Sequence, residues 1–364
     1  MVFYFTIAFL LFSSSFLEII SNNKKISQTI FYIFIIFFYF ISFIRWDTGT
    51  DWDSYYTMYN WIEVPWENFS EMGMEKGFTF INHLGKYLFN SYTGVLFLFS
   101  TIIYLSISKS YIILSQYPLT SLFISFCILS FAHILYVRQN IAVSIIGLST
   151  FYIIKKNFPL FFLSVFIASL FHTTALVYLI CYFIYYKDFS LKYNCILILG
   201  TLIIGTIVSK FLLSTLGSIG LGIISTKINN YLELGANDNS TTMSTTAIII
   251  KGFINRFFTL FLLFYCKYKL KYNSTFFNGL LNIYILGTVL YFTTLPLSVS
   301  LARIAVYMDC MQVFLIPYIL YKQQTLINRS LLFILLAVYY FLRLYSSYIS
   351  FESEYTPFTT IFET

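Results

Sequence analysis

Few side chains in this sequence can do chemistry, and they stand out against a mostly apolar background. Arg45, His133, Arg138, His172, Arg256, Arg303, Asp309 and Arg343 lie within or at the edge of apolar runs. Removing such groups from water is costly, so each is a candidate for function. Asp47, Asp51 and Asp53 follow Arg45 directly in the run RWDTGTDWDSYY. Arginines suit a phosphate or pyrophosphate, because the planar guanidinium gives paired hydrogen bonds. A carboxylate (Asp51 first, Asp53 second) or His172 beside them supplies a general base. The expectation is therefore a site for an anionic ligand, with Arg45, Arg138, Arg256 and Arg303 as its cations. Asp47, His133 and Asp309 are secondary candidates.

Several of these residues also have plainer readings. Arg45 suits an interfacial anchor and His133 a packing residue. Asp309 suits a counter-ion to Arg303 or Arg256. Gly49 is expected to form a turn that brings Asp47, Asp51 and Asp53 together. Three carboxylates also suit a cation, but the run lacks the ligand order and terminal Glu of an EF-hand loop. No metal and no other cofactor is expected.

The elements that must position these groups follow from composition. The chain has 364 residues, of which 59% are hydrophobic and 10% charged. Mean hydropathy is +0.78. A water-soluble domain carries about 25% charged residues, so lipid must be the solvent for much of this chain. The net charge of +7 does not point to nucleic acid, because the basic residues form short clusters between apolar runs. The five cysteines fall in or beside apolar segments and show no paired spacing, so neither disulfides nor a zinc site is indicated. No Lys or Arg precedes the first apolar run, which reads as a retained span rather than a cleaved leader.

Apolar runs long enough to span a bilayer occur at 2–20, 28–45, 91–108, 118–137, 139–154, 194–213, 247–266, 275–294, 303–321 and 330–346. The run 158–186 is too long for one ordinary span, and basic pairs flank it at Lys155/Lys156 and Lys187/Lys192. Two half-length helices, about 158–171 and 174–186, keep both pairs on one side and turn near His172. The expected fold is an all-α polytopic bundle of about twelve membrane helices, one pair of them short, forming a single integral membrane domain over 1–364. The clusters Lys24-Lys25, Lys109, Lys155-Lys156, Lys187/Lys192, Lys267/Lys269/Lys271 and Lys322/Arg329 then share the cytoplasmic side. Long outer loops are expected at 46–90 and 214–246. The isolated arginines and histidines fall in the outer half of the bundle. Scattered structural ion pairs would not favour one half.

The stretch from Arg45 to Tyr55 resembles the R-x-x-x-G-T-D-[YW]-x-x-Y signature of the EpsG family, bacterial polysaccharide polymerases akin to Wzy. Arg138-Gln139-Asn140-Ile141-Ala142 is similar to the family's R-Q-x-[IL]-A. Ala168-Ser169-Leu170-Phe171-His172-Thr173-Thr174-Ala175 is similar to its A-x-x-F-H-x-[ST]-A. Weaker likenesses follow at Asn255-Arg256 and Arg303-Ile304-Ala305, so the resemblance covers about residues 28–320. It implies a GT-C-like glycosyltransferase in the bacterial inner (cytoplasmic) membrane, working on the periplasmic or extracellular face. Its substrates would be undecaprenyl-pyrophosphate-linked oligosaccharides in the lipid bilayer, giving O-antigen, lipopolysaccharide or capsule polymer. A chain-length regulator is an expected partner by family analogy, and nucleic acid is not. Residues after 320 match least and receive no role from the family.

The nearest rival is an O-antigen ligase, which shares the donor. A lipid-linked oligosaccharide flippase or other transporter would favour midplane charges and internal repeats, and neither is evident.

Overall fold

The computed structural model describes residues 1–21, 23–62, 74–135, 138–202, 245–296 and 298–363. In chain order the helices are α1 (Val2–Ser21), α2 (Lys24–Ile44), α3 (Trp52–Trp61), α4 (Lys76–Phe89), α5 (Tyr92–Leu114), α6 (Pro118–Ile128), α7 (Arg138–Ile154) and α8 (Phe158–Ser169). A tight 3-10 helix, Thr173–Leu179, precedes α9 (Ile180–Ile184) and α10 (Leu191–Leu202). Then come α11 (Thr245–Phe264), α12 (Thr275–Thr294), three short pieces over Val299–Asp309, α13 (Gln312–Tyr321), α14 (Leu326–Ile349) and α15 (Glu352–Tyr355). Strands β1 (Arg45–Trp46) and β2 (Thr359–Thr360) pair antiparallel.

Among the described residues six helices are long and apolar enough to cross a membrane: Val2–Ser21, Lys24–Ile44, Tyr92–Leu114, Thr275–Thr294, Val299–Tyr321 and Leu326–Ile349. Four shorter apolar helices accompany them. The protein is thus an almost wholly helical, multi-pass membrane protein. The count of about twelve and the GT-C-like arrangement are expectations that go beyond these six. Of the expected span 194–213, residues 203–213 lie outside the described residues, as does nearly all of the loop 214–246.

The described chain forms two compact units, Met1–Leu179 with Gln312–Thr364, and Ile180–Met311. In the first, α6 is apolar all round and packs against α1, α2, α13 and α14, as a helix with no polar face must. Its first turn is capped from a distance. The buried Glu18 carboxylate of α1 accepts hydrogen bonds from the N–H groups of Leu119 (3.2 Å) and Thr120 (3.0 Å) and from the Thr120 hydroxyl (3.1 Å). Those are orphan donors at a helix start, and an anion there also meets the positive end of the helix dipole. By contrast α1, α2 and α14 leave large apolar side chains outward, among them Phe9, Leu17, Ile33, Ile36, Leu331 and Leu335. These faces suit lipid.

The expected span 118–137 does not run as one helix. It stops at Ile128, and Phe131, Ala132 and His133 follow with φ of 57°, 54° and 66°. Three consecutive left-handed residues cost roughly 1–2 kcal/mol each. Distant side chains support the turn. Tyr104 donates to the Ala132 carbonyl (3.2 Å), and Ser42, itself bonded to Ser100 (3.1 Å), donates to that of Ile134 (3.3 Å).

Beyond the turn, α7 packs on α5 and α8, and α8 packs on the 3-10 helix. The chain therefore reverses at 170–172. Asn157 caps the start of α8 by accepting from Leu160 N–H at 3.1 Å.

In the second unit α12 is central, packing on α9, α11 and the pieces over Val299–Asp309. Asn282 of α12 donates to the carbonyls of Ile184 (3.1 Å) and Lys187 (2.7 Å), closing the end of α9.

Candidate functional site

The signature run forms a closed turn between α2 and α3. Arg45 ends α2, pairs as β1 with Thr360, and is only 3% exposed. Its Nη1 donates to the Thr48 carbonyl at 2.7 Å. Gly49 is required twice here. Its φ is +118°, and a Cβ at this position would sit 2.8 Å from Arg45 Nη1. Arg45 thus lies beneath the turn and holds it, which is the physical content of an arginine four residues before a glycine.

The tail seals the same turn from the other side. Gly49 N–H donates to the Glu354 carbonyl at 2.8 Å, and Thr359 N–H donates to the Thr48 hydroxyl at 3.1 Å. The Thr359 hydroxyl donates to the Trp46 carbonyl. The segment that sequence reading left without a role is therefore part of the signature turn.

The three aspartates do not converge. Asp47 and Asp53 are exposed and line a cavity of about 240 Å³ with Glu354 and Pro357. Asp51 sits at the start of α3, where its Oδ2 accepts from the Tyr55 hydroxyl at 3.4 Å. Two residues along a helix is a rotation of roughly 200°, which parts Asp51 from Asp53. Among the described residues no three His, Cys, Asp or Glu side chains are grouped as metal ligands.

From Asp51 a polar chain runs across three elements. The Tyr55 hydroxyl accepts from Arg138 Nε at 3.4 Å. Arg138, at the first position of α7, forms an ion pair with Glu75. Glu75 Oε1 in turn accepts from the Thr173 N–H at 3.4 Å and its hydroxyl at 3.3 Å. His172, half-buried, shares a 2.7 Å hydrogen bond between Nδ1 and the Thr174 hydroxyl. The rings of Tyr55 and Phe78 flank the Arg138 guanidinium at 5.9 and 5.8 Å.

The close approach of α4 to α8 places Glu75. Gly77 N–H and Phe78 N–H donate to the Leu170 carbonyl at 2.8 and 3.3 Å. A Cβ on Gly77 would lie 2.9 Å from that oxygen, so only glycine lets the two backbones meet.

Asp51, Arg138 and the His172 turn are thus joined by two residues, Tyr55 and Glu75, that sequence reasoning did not select. Tyr55 is the last letter of the signature, which was a usable signal. Glu75 was hidden among the acids of a long loop. Burial raises the Tyr55 pKa, partly offset by Arg138, so the hydroxyl stays protonated through neutral pH.

His133 lies buried in the left-handed turn, with no hydrogen-bond partner for Nδ1 among the described residues.

The remaining candidates lie in the second unit. Arg256 of α11 forms an ion pair with Asp309, one of the two counter-ion pairings expected for that carboxylate. The Arg256 guanidinium also lies 3.3 Å from the ring centre of Tyr291. Arg303 is exposed in the 3-10 turn that opens the expected span 303–321.

A family model described as the EpsG family matches residues 28–360, nearly the whole chain and as far as the strand that seals the turn. The chain belongs to the EpsG family. EpsG proteins are Wzy-like polymerases, so membership makes this a polysaccharide-polymerase type of membrane protein. Neither a curated protein nor a solved structure matches it significantly. The EpsG match ends at Thr360, inside β2, so the tail strand that meets Arg45 and Trp46 lies within the family region.

Proposed function

We propose that this protein is a glycosyltransferase that extends a polysaccharide on the outer face of the bacterial inner membrane. The donor is a growing chain on undecaprenyl pyrophosphate, and the acceptor is a single repeat unit on the same lipid. The polar chain Asp51–Tyr55–Arg138–Glu75–Thr173 carries this reading within an EpsG family fold. The Lys pairs support the outer face. Lys24-Lys25 begins α2 while Arg45 ends it, and Lys155-Lys156 follows α7 while Arg138 begins it. The network therefore stands at the helix ends opposite the basic pairs, which mark the cytoplasm.

In the proposed reaction an acceptor hydroxyl oxygen bonds to the anomeric carbon of the donor sugar. Its proton passes to Asp51 or His172. The bond from the anomeric carbon to pyrophosphate breaks, its electrons go to the phosphate oxygen, and undecaprenyl pyrophosphate departs. Arg138 stabilises the charge growing on that oxygen, where a fixed cation in a poorly hydrated site is most effective. Arg45 keeps the Asp51 turn in shape. Arg303 is a further cation for anionic substrate groups, while Arg256 is engaged by Asp309.

The test is analysis of lipid-linked sugars in a deletion strain complemented with variants. Loss of function should leave single repeats attached to their final acceptor. A strain with no attached repeats would indicate a ligase, and lipid-linked repeats held on the cytoplasmic side would indicate a flippase. Arg138→Ala and His172→Ala proteins that insert normally and still make long polymer would defeat the assignment.

A further inference from the structure

This inference rests on the reading that Arg138 grips the donor's diphosphate. Two neighbours hold that guanidinium by different edges. Glu75 pairs with Nη1, and the Tyr55 hydroxyl takes Nε at 3.4 Å. Among the described residues Nη2 has no acceptor. The Arg138 side chain is 25% exposed and that of Glu75 only 10%. The pair turns its cation outward and keeps its anion behind, steadied by the backbone N–H and hydroxyl of Thr173. An ion pair that served only to join two helix ends would need no such asymmetry.

The chemistry explains why a carboxylate belongs there. The bond being broken leaves a lipid diphosphate with one more negative charge than the donor diphosphate carried. An uncompensated arginine would hold this product as firmly as it stabilised the leaving oxygen, and turnover would stall. A fixed negative charge directly behind the guanidinium weakens the grip on any anion in front.

We infer that Glu75 is the positioning and counter-charge residue of Arg138. It aims Nη2 at the diphosphate and loosens the complex so that the spent lipid leaves. Removing its charge therefore tightens binding and slows release, the opposite of what loss of a structural contact does.

The test uses full-length protein in nanodiscs, with inorganic pyrophosphate and undecaprenyl pyrophosphate as probes in separate titrations. An opposite charge within about 4–6 Å moves an ionic equilibrium by one to three decades, and partial exposure places this pair near the lower end. Glu75→Gln should therefore bind both probes about tenfold more tightly than wild type. In turnover it should lower KM for the lipid-linked donor and kcat together. Glu75→Asp, which keeps the charge, should stay within about threefold of wild type.

If Glu75→Gln binds no more tightly while Arg138→Ala binds weakly, the inference is overturned and the proposed function stands. Equal tightening by the Gln and Asp variants also overturns it. If Arg138→Ala binds both probes as wild type does, the proposed function itself fails. Should the Gln variant not insert, Glu75→Ala asks the same question in the same titration, and unchanged or weaker binding again refutes the inference.

Discussion

Among the described residues, Arg138–Glu75 in one unit and Arg256–Asp309 in the other pair the same kinds of charge and present them in opposite ways. In Arg138–Glu75 the cation is the more exposed partner, at 25% against 10%. In Arg256–Asp309 the cation is the more buried, at 11% against 19%, with a tyrosine ring pressed against it. The first pair joins the start of α7 to the residue before α4, and hydroxyls surround it. The second ties the middle of α11 to the helical piece Val306–Asp309. An ion pair tells little about function by its existence. Which partner faces outward, and what else that partner touches, separates a ligand grip from a helix tether.

The largest effect that would break this contrast is expected at Arg138. Arg138→Ala should lower polymer formation by about 10²–10³-fold, the cost of losing one preorganised charge donor at a leaving oxygen. Membrane insertion should be unchanged, as read by gel analysis of polymer beside protein level.

Asp309→Ala should instead act on stability, with a loss of about 3 kcal/mol, because it strands a largely buried guanidinium. Thermal unfolding in detergent measures this, and replacing both Asp309 and Arg256 by Leu should recover most of the loss. Should Asp309→Ala leave the melting point unmoved and abolish polymer, the tether reading is wrong.

Tyr55→Phe sharpens the first pair. Losing one hydrogen bond to Arg138 should cost about 1 kcal/mol, or roughly fivefold in turnover. The ratio of variant to wild-type rate should be flat from neutral pH into the mildly alkaline range, because burial holds the Tyr55 hydroxyl protonated there. The sign for stability follows from the same shift. The folded state keeps this proton longer than the unfolded chain does, so this contribution falls only as pH rises past about 10, the ordinary tyrosine value.

The smallest effect belongs to the tail, which touches neither pair. Thr359→Val removes hydroxyl bonds to Trp46 and Thr48 and should cost about 1 kcal/mol or less. A fewfold loss of polymer with intact insertion is the expected readout.

Much of the helical layout was legible because hydrophobic runs and Lys spacing are local signals. The helices at 2–21, 24–44, 92–114, 275–294 and 326–349 lie close to their expected positions. The reversal near His172 followed from charge on either side of one long run. What failed were features fixed by distant partners. Nothing in Ser130-Phe131-Ala132-His133 signals a left-handed turn, since no glycine or proline marks it and its supporting hydroxyls come from Ser42 and Tyr104. Asp51 and Asp53 looked like neighbours because they are two apart, whereas a helix starting at Trp52 turns them to different sides. Glu75 meets Arg138 across 63 residues, and no local pattern shows that contact.

The threonine clasp between residues 48 and 359 joins positions 311 apart. Translation at about 5–20 residues per second puts roughly 15–60 seconds between the emergence of one partner and the other. Throughout that interval α2 is already synthesised while the loop following Arg45 lacks its far strand. A nascent chain, or one cut short before residue 359, therefore cannot complete the bend that carries Asp51. Closure of this bend therefore waits for residues 359 and 360, long after the helix it follows has been made.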